Sequence, residues 1–128
     1  PDHPRSNLQS EKKEQEALFR WARDSETRMA YPDLRFLHAD LSGVRLTSVG
    51  QRANAKRGGM EQGVPDISLD VSRGPYCGFE LELKTKYNKP SIEQLDWLYN
   101  MHQNGRRCWI CWGHEVAKQK IIEYLTLD

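Results

Sequence analysis

Apolar and polar residues alternate along two short stretches in the middle of the chain, residues 64–71 (VPDISLDV) and residues 77–86 (CGFELELKTK). A period of two is typical of a β-strand whose two faces meet different surroundings. A short segment with Gly and Pro joins the stretches, so the pattern predicts a β-hairpin with one face exposed to water. On the second strand, the polar face carries Glu80, Glu82 and Lys84.

Helical periodicity predicts four helices around this hairpin. The first, Glu11–Arg23, consists of good helix formers, and Leu18, Trp21 and Ala22 recur on one face. The other three are predicted from Thr47 or Ser48 to Gly58–Gly59, from Ser91 to Gly105, and across residues 114–125 with Val116, Ile121 and Leu125 facing inward. Two further strands are predicted, in residues 34–39 (LRFLHA) and 106–112 (RRCWICW).

This order of elements indicates the α/β class, with a central mixed β-sheet flanked by helices. The chain of 128 residues is predicted to form one domain, residues 1–128, with a flexible tail at residues 1–9. A hydrophobic fraction of 38% excludes a disordered chain. The first ten residues lack the pattern of a signal peptide and no apolar run has the length of a membrane span, so we expect an intracellular protein. Three cysteines cannot all pair with one another, and we predict reduced thiols.

Positive charge is concentrated in two segments, although the net charge is only +1. The cations are Arg45, Arg52, Lys56 and Arg57 in a first segment without acids, and Lys84, Lys86 and Lys89 in a second. Such clusters bind nucleic-acid phosphates without reading the sequence, and a solvated helix face is the alternative interpretation. No recognition helix or base-stacking surface is indicated, so we expect structure-selective binding.

The predicted hairpin could bring two carboxylates together. Asp66 lies on the polar face of the first strand, and pairing of the two strands could place it beside Glu82. Two like charges at short distance are unfavourable unless a cation lies between them, and Mg²⁺ or Mn²⁺ is the cation that such oxygen ligands favour. A lysine at residue 84 could orient water or contact a phosphate. A solvated strand face with cross-strand pairs is the alternative.

These residues resemble a known signature. GVPD at residues 63–66 followed by ELK at residues 82–84 is similar to the motif of the PD-(D/E)XK nucleases. Over residues 10–126, the chain resembles more narrowly the stand-alone VRR-NUC (virus-type replication-repair nuclease) domains of phages and bacteria. The resembling segments are EKKEQEALFRWA, KRGGMEQGVPD, ELELKT, SIEQLDWL, NGRRCWICWG and IIEYL.

The resemblance implies a restriction-endonuclease-like fold and a metal-dependent endodeoxyribonuclease. Stand-alone members of the family are homodimers that cleave branched DNA such as four-way (Holliday) junctions, with Mg²⁺ or Mn²⁺ and without a small-molecule cofactor. A phage-encoded protein of this kind would act in the cytoplasm of its bacterial host. Two alternatives remain: a non-catalytic nucleic-acid-binding module on a nuclease fold, and a monomeric flap or single-strand nuclease.

The resemblance also implies a role for each matching residue. Asp66, Glu82 and the backbone carbonyl of Leu83 would hold the metal ion. Lys84 would act on the attacking water, and Gln94 would position water or substrate. A helix capping box explains Gln94 equally well.

Five further positions have a less definite role. An acid on the first helix joins the site in the family, and we favour Glu11 over Glu14, with a solvated helix charge as the alternative. Glu80 is predicted to be a peripheral acid on the strand. Ser42 stands where related domains tend to carry Asn, which leaves the role of that loop open. His38 is predicted to have no catalytic role.

Overall fold

Four β-strands form one mixed sheet in the computed structural model, which describes residues 4–40 and 48–128. The strands are β1 (Leu37–Ala39), β2 (Ile67–Leu69), β3 (Phe79–Lys84) and β4 (Arg107–Trp112). They lie in the order β1-β2-β3-β4; β2 is antiparallel to both of its neighbours, and β4 is parallel to β3. The predicted α/β class, the mixed sheet and the β2–β3 hairpin are therefore confirmed.

Helices precede, interrupt and follow the strands along the chain. They are α1 (Pro4–Arg23), α2 (Ser25–Ala30), a 3₁₀ helix (Pro32–Phe36), α3 (Val49–Arg57), α4 (Ile92–Gln103) and α5 (His114–Leu125). Helix α1 begins at Pro4 rather than at Glu11, so the segment predicted as a flexible tail contributes to the helix from residue 4 onward. Proline is well suited to the first position of a helix, where its missing N–H costs no hydrogen bond. No helix among the described residues has the length and apolar character needed to cross a membrane.

Two local predictions are corrected. The strand predicted in residues 34–39 is confined to Leu37–Ala39, because Pro32 starts a 3₁₀ turn whose Leu34 is buried in the core. Helix α2 was not predicted. Its N-cap, Asp24, accepts a hydrogen bond from the Thr27 N–H (3.2 Å), but the helix has no buried residue and hence no apolar periodicity to reveal it.

The main core lies between one face of the sheet and helices α1 and α5. Its central members are Phe79, Leu81 and Leu83 from β3, Leu18 and Ala22 from α1, and Ala117, Ile121 and Tyr124 from α5. The predicted inward position of Val116 is wrong: it is exposed, and Ala117 faces the core instead. Residues 117, 121 and 124 recur at helical spacing on one face, and residue 116 lies off that face.

The opposite face of β3 is also buried. Glu80, Glu82 and Lys84 are as inaccessible as the apolar residues between them, so the prediction of a water-exposed strand face is wrong for β3. Long-range contacts cover this face, from Gln94 of α4 to Glu82 and from Arg106 to Glu80. Charged groups are rarely buried without partners or a function, so this face defines the candidate site.

All three cysteines carry free thiols, as predicted. Burial raises the pKa of Cys108 to about 11 and that of Cys111 to about 12. Both thiols therefore stay protonated near neutral pH, and protonated thiols are poor nucleophiles and metal ligands.

Candidate active site

Strand pairing brings Asp66 and Glu82 together. Ile67 is opposite Leu81 in the antiparallel register of β2 and β3, so Asp66, one residue earlier, comes opposite Glu82, one residue later. Asp66 Oδ2 accepts a hydrogen bond from the Leu83 backbone N–H (3.0 Å), which fixes the carboxylate against β3. Glu82 is only 1% exposed, whereas Asp66 is half-buried. The two carboxylates thus form one site at the start of β2.

Glu82 has an unusual electrostatic environment. Burial and the neighbouring Asp66 raise the pKa of Glu82 to about 10, although Lys84 lowers it in part. The carboxyl group therefore holds a proton at neutral pH in the metal-free protein. Its Oε2 is buried and accepts no hydrogen bond from any described residue, and a side-chain hydrogen bond with Asp66 contributes to the raised pKa. A buried carboxyl with a free oxygen beside a second carboxylate has the donor set that a hard divalent cation takes up.

Only two carboxylates meet at this point. No group of three or more His, Cys, Asp and Glu side chains in residues 4–40 and 48–128 has the arrangement of a metal site. Mg²⁺ is commonly held by one or two carboxylates and keeps several water ligands, so the pair Asp66 and Glu82 fits such an ion. A site that demands three or four protein side chains, such as structural zinc, does not fit.

Gln94 takes part in the capping box of α4 and also contacts the candidate site. Its Oε1 accepts a hydrogen bond from the Ser91 N–H (2.8 Å), and Ser91 Oγ accepts one from the Gln94 N–H (3.1 Å), which completes the capping box of α4. The other end of the amide, Nε2, donates to Glu82 Oε1 (3.1 Å). Because the cap fixes the orientation of the amide, the N–H rather than the carbonyl faces Glu82.

Gly63 lets the GVPD loop approach α4. Its φ of +86° lies in the left-handed region, and a Cβ atom here would lie 2.5 Å from the Glu93 carbonyl oxygen. Any larger residue would force the loop away from the first turn of α4. The contact fixes the distance between the loop that carries Asp66 and the helix that carries Gln94.

Lys84 lies at the end of β3, on the same face as Glu82. Its Nζ is 4.0 Å from Glu11 Oε1, and the side-chain amide of Asn88 donates a hydrogen bond to the same oxygen. Burial raises the pKa of Glu11, while Asn88 and Lys84 act in the opposite direction. The structure thus brings Glu11 to Lys84 and so to the edge of the carboxylate pair.

Glu14 points elsewhere. Its Oε2 accepts hydrogen bonds from the His114 backbone N–H (2.8 Å) and from the His114 ring. It therefore caps the first turn of α5 and joins α1 to that helix. Glu11 and Glu14 are one turn apart, but only Glu11 reaches the site.

Glu80 belongs to a separate charged group. Arg106 Nε lies 2.7 Å from Glu80 Oε1, and its Nη2 donates to Asp70 Oδ1 (2.8 Å). Burial raises the pKa of Glu80, and Arg106 opposes that effect. His38 lies at the exposed edge of this group, with its Nε2 4.0 Å from Asp70. Sequence patterns did not indicate Arg106, because its partner Glu80 is 26 positions earlier and parallel strand pairing alone brings the two together.

The basic residues lie on two exposed segments. Arg52, Lys56 and Arg57 are exposed on α3, a helix with no buried residue, and Lys86 and Lys89 are exposed in the loop after β3. Arg45 and Ser42 lie outside the described residues. The loop of Lys86 and Lys89 directly follows Lys84, so these two cations extend from the candidate site.

Comparison with known proteins supports the fold. Profiles of known protein families give no match to this chain, and a search of curated proteins gives none either. The structure is, however, similar to a solved structure described as a VRR_NUC domain protein, with a TM-score of 0.73 and 22% sequence identity. The match covers 92% of this chain and 89% of that chain. The chain therefore has the α/β fold of that VRR_NUC domain protein, as the sequence resemblance predicted.

Proposed function

We propose that this protein is a divalent-metal-dependent endonuclease that hydrolyses phosphodiester bonds of DNA. One observation carries the proposal. Glu82 is buried beside Asp66 with an oxygen that no described residue satisfies, and Lys84 follows on the same strand face. Perturbed acids grouped with a buried lysine are typical of catalytic sites. The similarity in fold to a VRR_NUC domain protein supports the same conclusion.

Each residue of the site has a distinct role in this proposal. Asp66 and Glu82, with the backbone carbonyl of Leu83, hold Mg²⁺ or Mn²⁺. The cation, when bound, supplies positive charge that stabilises the phosphate as its ester bond breaks. Lys84 orients the attacking water or donates a hydrogen bond to a phosphate oxygen. Gln94 holds Glu82 in place through the hydrogen bond to Oε1.

The proposed substrate is branched DNA, with four-way junctions as the first choice. Exposed cations on α3 and in the loop after β3 bind phosphates and provide affinity without base recognition. These cations are Arg52, Lys56, Arg57, Lys86 and Lys89, and we add Arg45 from the same basic segment. Shape and charge, rather than sequence, would then select the substrate.

A cleavage assay tests the proposal. The protein is incubated with a labelled four-way junction and with a linear duplex of the same sequence, in Mg²⁺, Mn²⁺ or EDTA. We expect the junction to be cut with either cation and not in EDTA, and Asp66→Asn to abolish cutting. Glu26→Gln, a change of the same kind at an exposed position on α2, a helix with no buried residue, should leave the rate unchanged.

Each other outcome of this assay identifies an alternative. Junction binding without cleavage under all conditions would replace the nuclease by a non-catalytic binding module. With a labelled flap added as a third substrate, cleavage of the flap but not of the junction would replace the junction specificity by that of a flap nuclease. Full activity of Asp66→Asn would show that the catalytic site lies elsewhere.

The proposal extends to a homodimer, because two symmetric sites match the two-fold geometry of a four-way junction. The outer face of α4 supports it. Ile92, Leu95 and Tyr99 follow one another at i, i+3 and i+7, with Ile92 82% and Tyr99 64% exposed. An apolar stripe of this kind is typical of a surface that packs against another protein.

Sedimentation equilibrium checks the dimer directly. The mass should be about twice the 14.9 kDa of one chain, and Leu95→Lys should reduce it to that of a monomer, because a charge cannot be buried unpaired. A wild-type monomer at micromolar concentration would refute the dimer while leaving the nuclease proposal intact.

A further inference from the structure

Trp112 lies beside Lys84 at the end of the sheet. The two residues are partners in the parallel register of β3 and β4, so their side chains point to the same face. Neighbouring strands are about 5 Å apart, and the indole is therefore adjacent to the lysine of the candidate site. The loop after β3, with exposed Lys86 and Lys89, follows directly.

The indole ring is held in position by its own N–H. Trp112 Nε1 donates a hydrogen bond to the Asn88 backbone carbonyl (2.9 Å), and the Asn88 side chain in turn contacts Glu11. The polar atom of the ring is thus satisfied, and yet the residue is 45% exposed. What remains available to a ligand is the flat apolar surface of the ring.

The other three tryptophans differ from Trp112. Each of them is partly buried, and two carry a cation over the ring. Lys120 Nζ lies 4.0 Å from the centre of the Trp109 ring, and Lys118 Nζ lies 5.7 Å from that of Trp21. Of the four tryptophans, only Trp112 combines an exposed ring with a position beside the candidate site.

We propose that Trp112 stacks on an unpaired base of the nucleic-acid substrate, next to the phosphate that Lys84 contacts. This inference rests on the proposed nuclease function and narrows its substrate to branched DNA with an unstacked nucleotide at the cut, as in the single-stranded arm of a flap or where a base pair opens at a four-way branch point. A regular duplex keeps every base between its neighbours and offers no free face to the ring. Stacking on an aromatic side chain accepts any base, which agrees with recognition by structure rather than by sequence.

The sequence pattern concealed this surface. Residues 106–112 are predicted as a strand, and the sequence indicates no base-stacking surface. The exposure arises because β4 lies at the edge of the sheet and Trp112 is its last residue, on the sheet face opposite α5. A strand end beside a candidate site is a position that sequence alone does not reveal.

A double-substitution experiment tests the stacking. The cut is first located on a flap substrate with a single-stranded arm, and the bases beside it are then replaced one at a time by an abasic site. We expect Trp112→Leu to lower kcat/KM on the intact substrate by roughly 5- to 150-fold, the range for loss of one stacked base. One abasic substitution should cause a similar loss in the wild type and almost none in Trp112→Leu, because the two changes remove the same contact. If the reductions in kcat/KM from Trp112→Leu and from the abasic site multiply when the two changes are combined, the proposal is refuted.

Two variants control for indirect effects. Trp112→Phe keeps a ring but loses the hydrogen bond to Asn88. In this variant, the abasic site should still cause most of the drop in kcat/KM that it causes in the wild type. Phe36→Leu removes an aromatic ring of matched exposure, 43%, next to β1 at the other edge of the sheet, and it should behave as wild type. If Trp112→Leu instead changes the sedimentation mass, the ring is a dimer contact and the stacking proposal is wrong.

A measurement of DNA affinity tests the stacking proposal separately from the proposed catalysis. The same pair of intact and abasic substrates is titrated in EDTA, with fluorescence anisotropy as the measurement. A weaker affinity for the abasic substrate that disappears in Trp112→Leu supports stacking even if no cleavage occurs, and absent cleavage would then refute only the nuclease function. Equal affinities for both substrates in the wild type would refute stacking, whether or not the protein cuts DNA.

Discussion

Replacement of Lys84 by methionine should lower the rate of DNA cleavage by roughly 10²- to 10³-fold, the range for loss of one hydrogen-bond donor that stabilises the transition state. Lys84 is 8% exposed, and methionine reproduces the length of its buried stem without the ammonium group. The fold should therefore survive, because the change removes a buried charge and keeps most of the packing. The loss should fall on kcat rather than on KM, since the proposed contact strengthens in the transition state.

Single-turnover cleavage of the branched substrate measures this effect. Lys118→Met is the matched control: Lys118 is also partly buried, but it lies on α5, where it pairs with Glu115 and contacts the Trp21 ring. That variant should cut at the wild-type rate. A Lys84→Met protein that binds DNA normally and cuts within about threefold of wild type would remove Lys84 from the catalytic step.

Local signals explain which parts of the fold were predictable. Ser48 and Ser91 each begin a helix with a capping box, formed by Gln51 and Gln94, and such boxes depend only on residues three apart. The apolar alternation of β3 likewise predicted its core face. Helix α2 was missed because its only start signal, the Asp24 cap, had no apolar periodicity behind it.

The burial of the site could not be predicted in the same way. The side chains that cover the polar face of β3 are Glu11, Gln94 and Arg106, which lie far from β3 in sequence and reach it only through the tertiary fold. Alternation fixes which face a residue points to, but not what covers that face. The resemblance to VRR-NUC domains supplied the residue types of the site, and the structure adds that the three charges of β3 have three different partners.

Those partners make Glu82 and Glu80 a matched pair for a test of stability and activity together. In the metal-free protein at a pH below 4.5, the ordinary pKa of a glutamate, residue 82 holds a proton both in the folded protein and in the unfolded chain. Between that pH and about 10, the unfolded chain releases the proton while the folded protein retains it, so the wild type loses stability as pH rises. Glutamine at residue 82 has no proton to lose. Glu82→Gln should therefore be about as stable as wild type at pH 5 in EDTA, and its advantage in free energy of unfolding should grow steadily toward pH 8.5.

Urea denaturation at several pH values measures the free energy of unfolding, with and without Mn²⁺. Mn²⁺ should stabilise the wild type, because the cation takes the place of the proton, and it should not stabilise Glu82→Gln, which should also fail to cut DNA. Glu80→Gln should keep most of the activity and the response to Mn²⁺, and its pH dependence should change less, because Arg106 already offsets the burial of Glu80. If both variants lost activity equally, Glu80 would belong to the catalytic site. If Glu82→Gln were less stable than wild type at high pH, the Glu82 carboxyl would be charged in the metal-free folded protein, and the proposed exchange of a proton for the cation would be wrong.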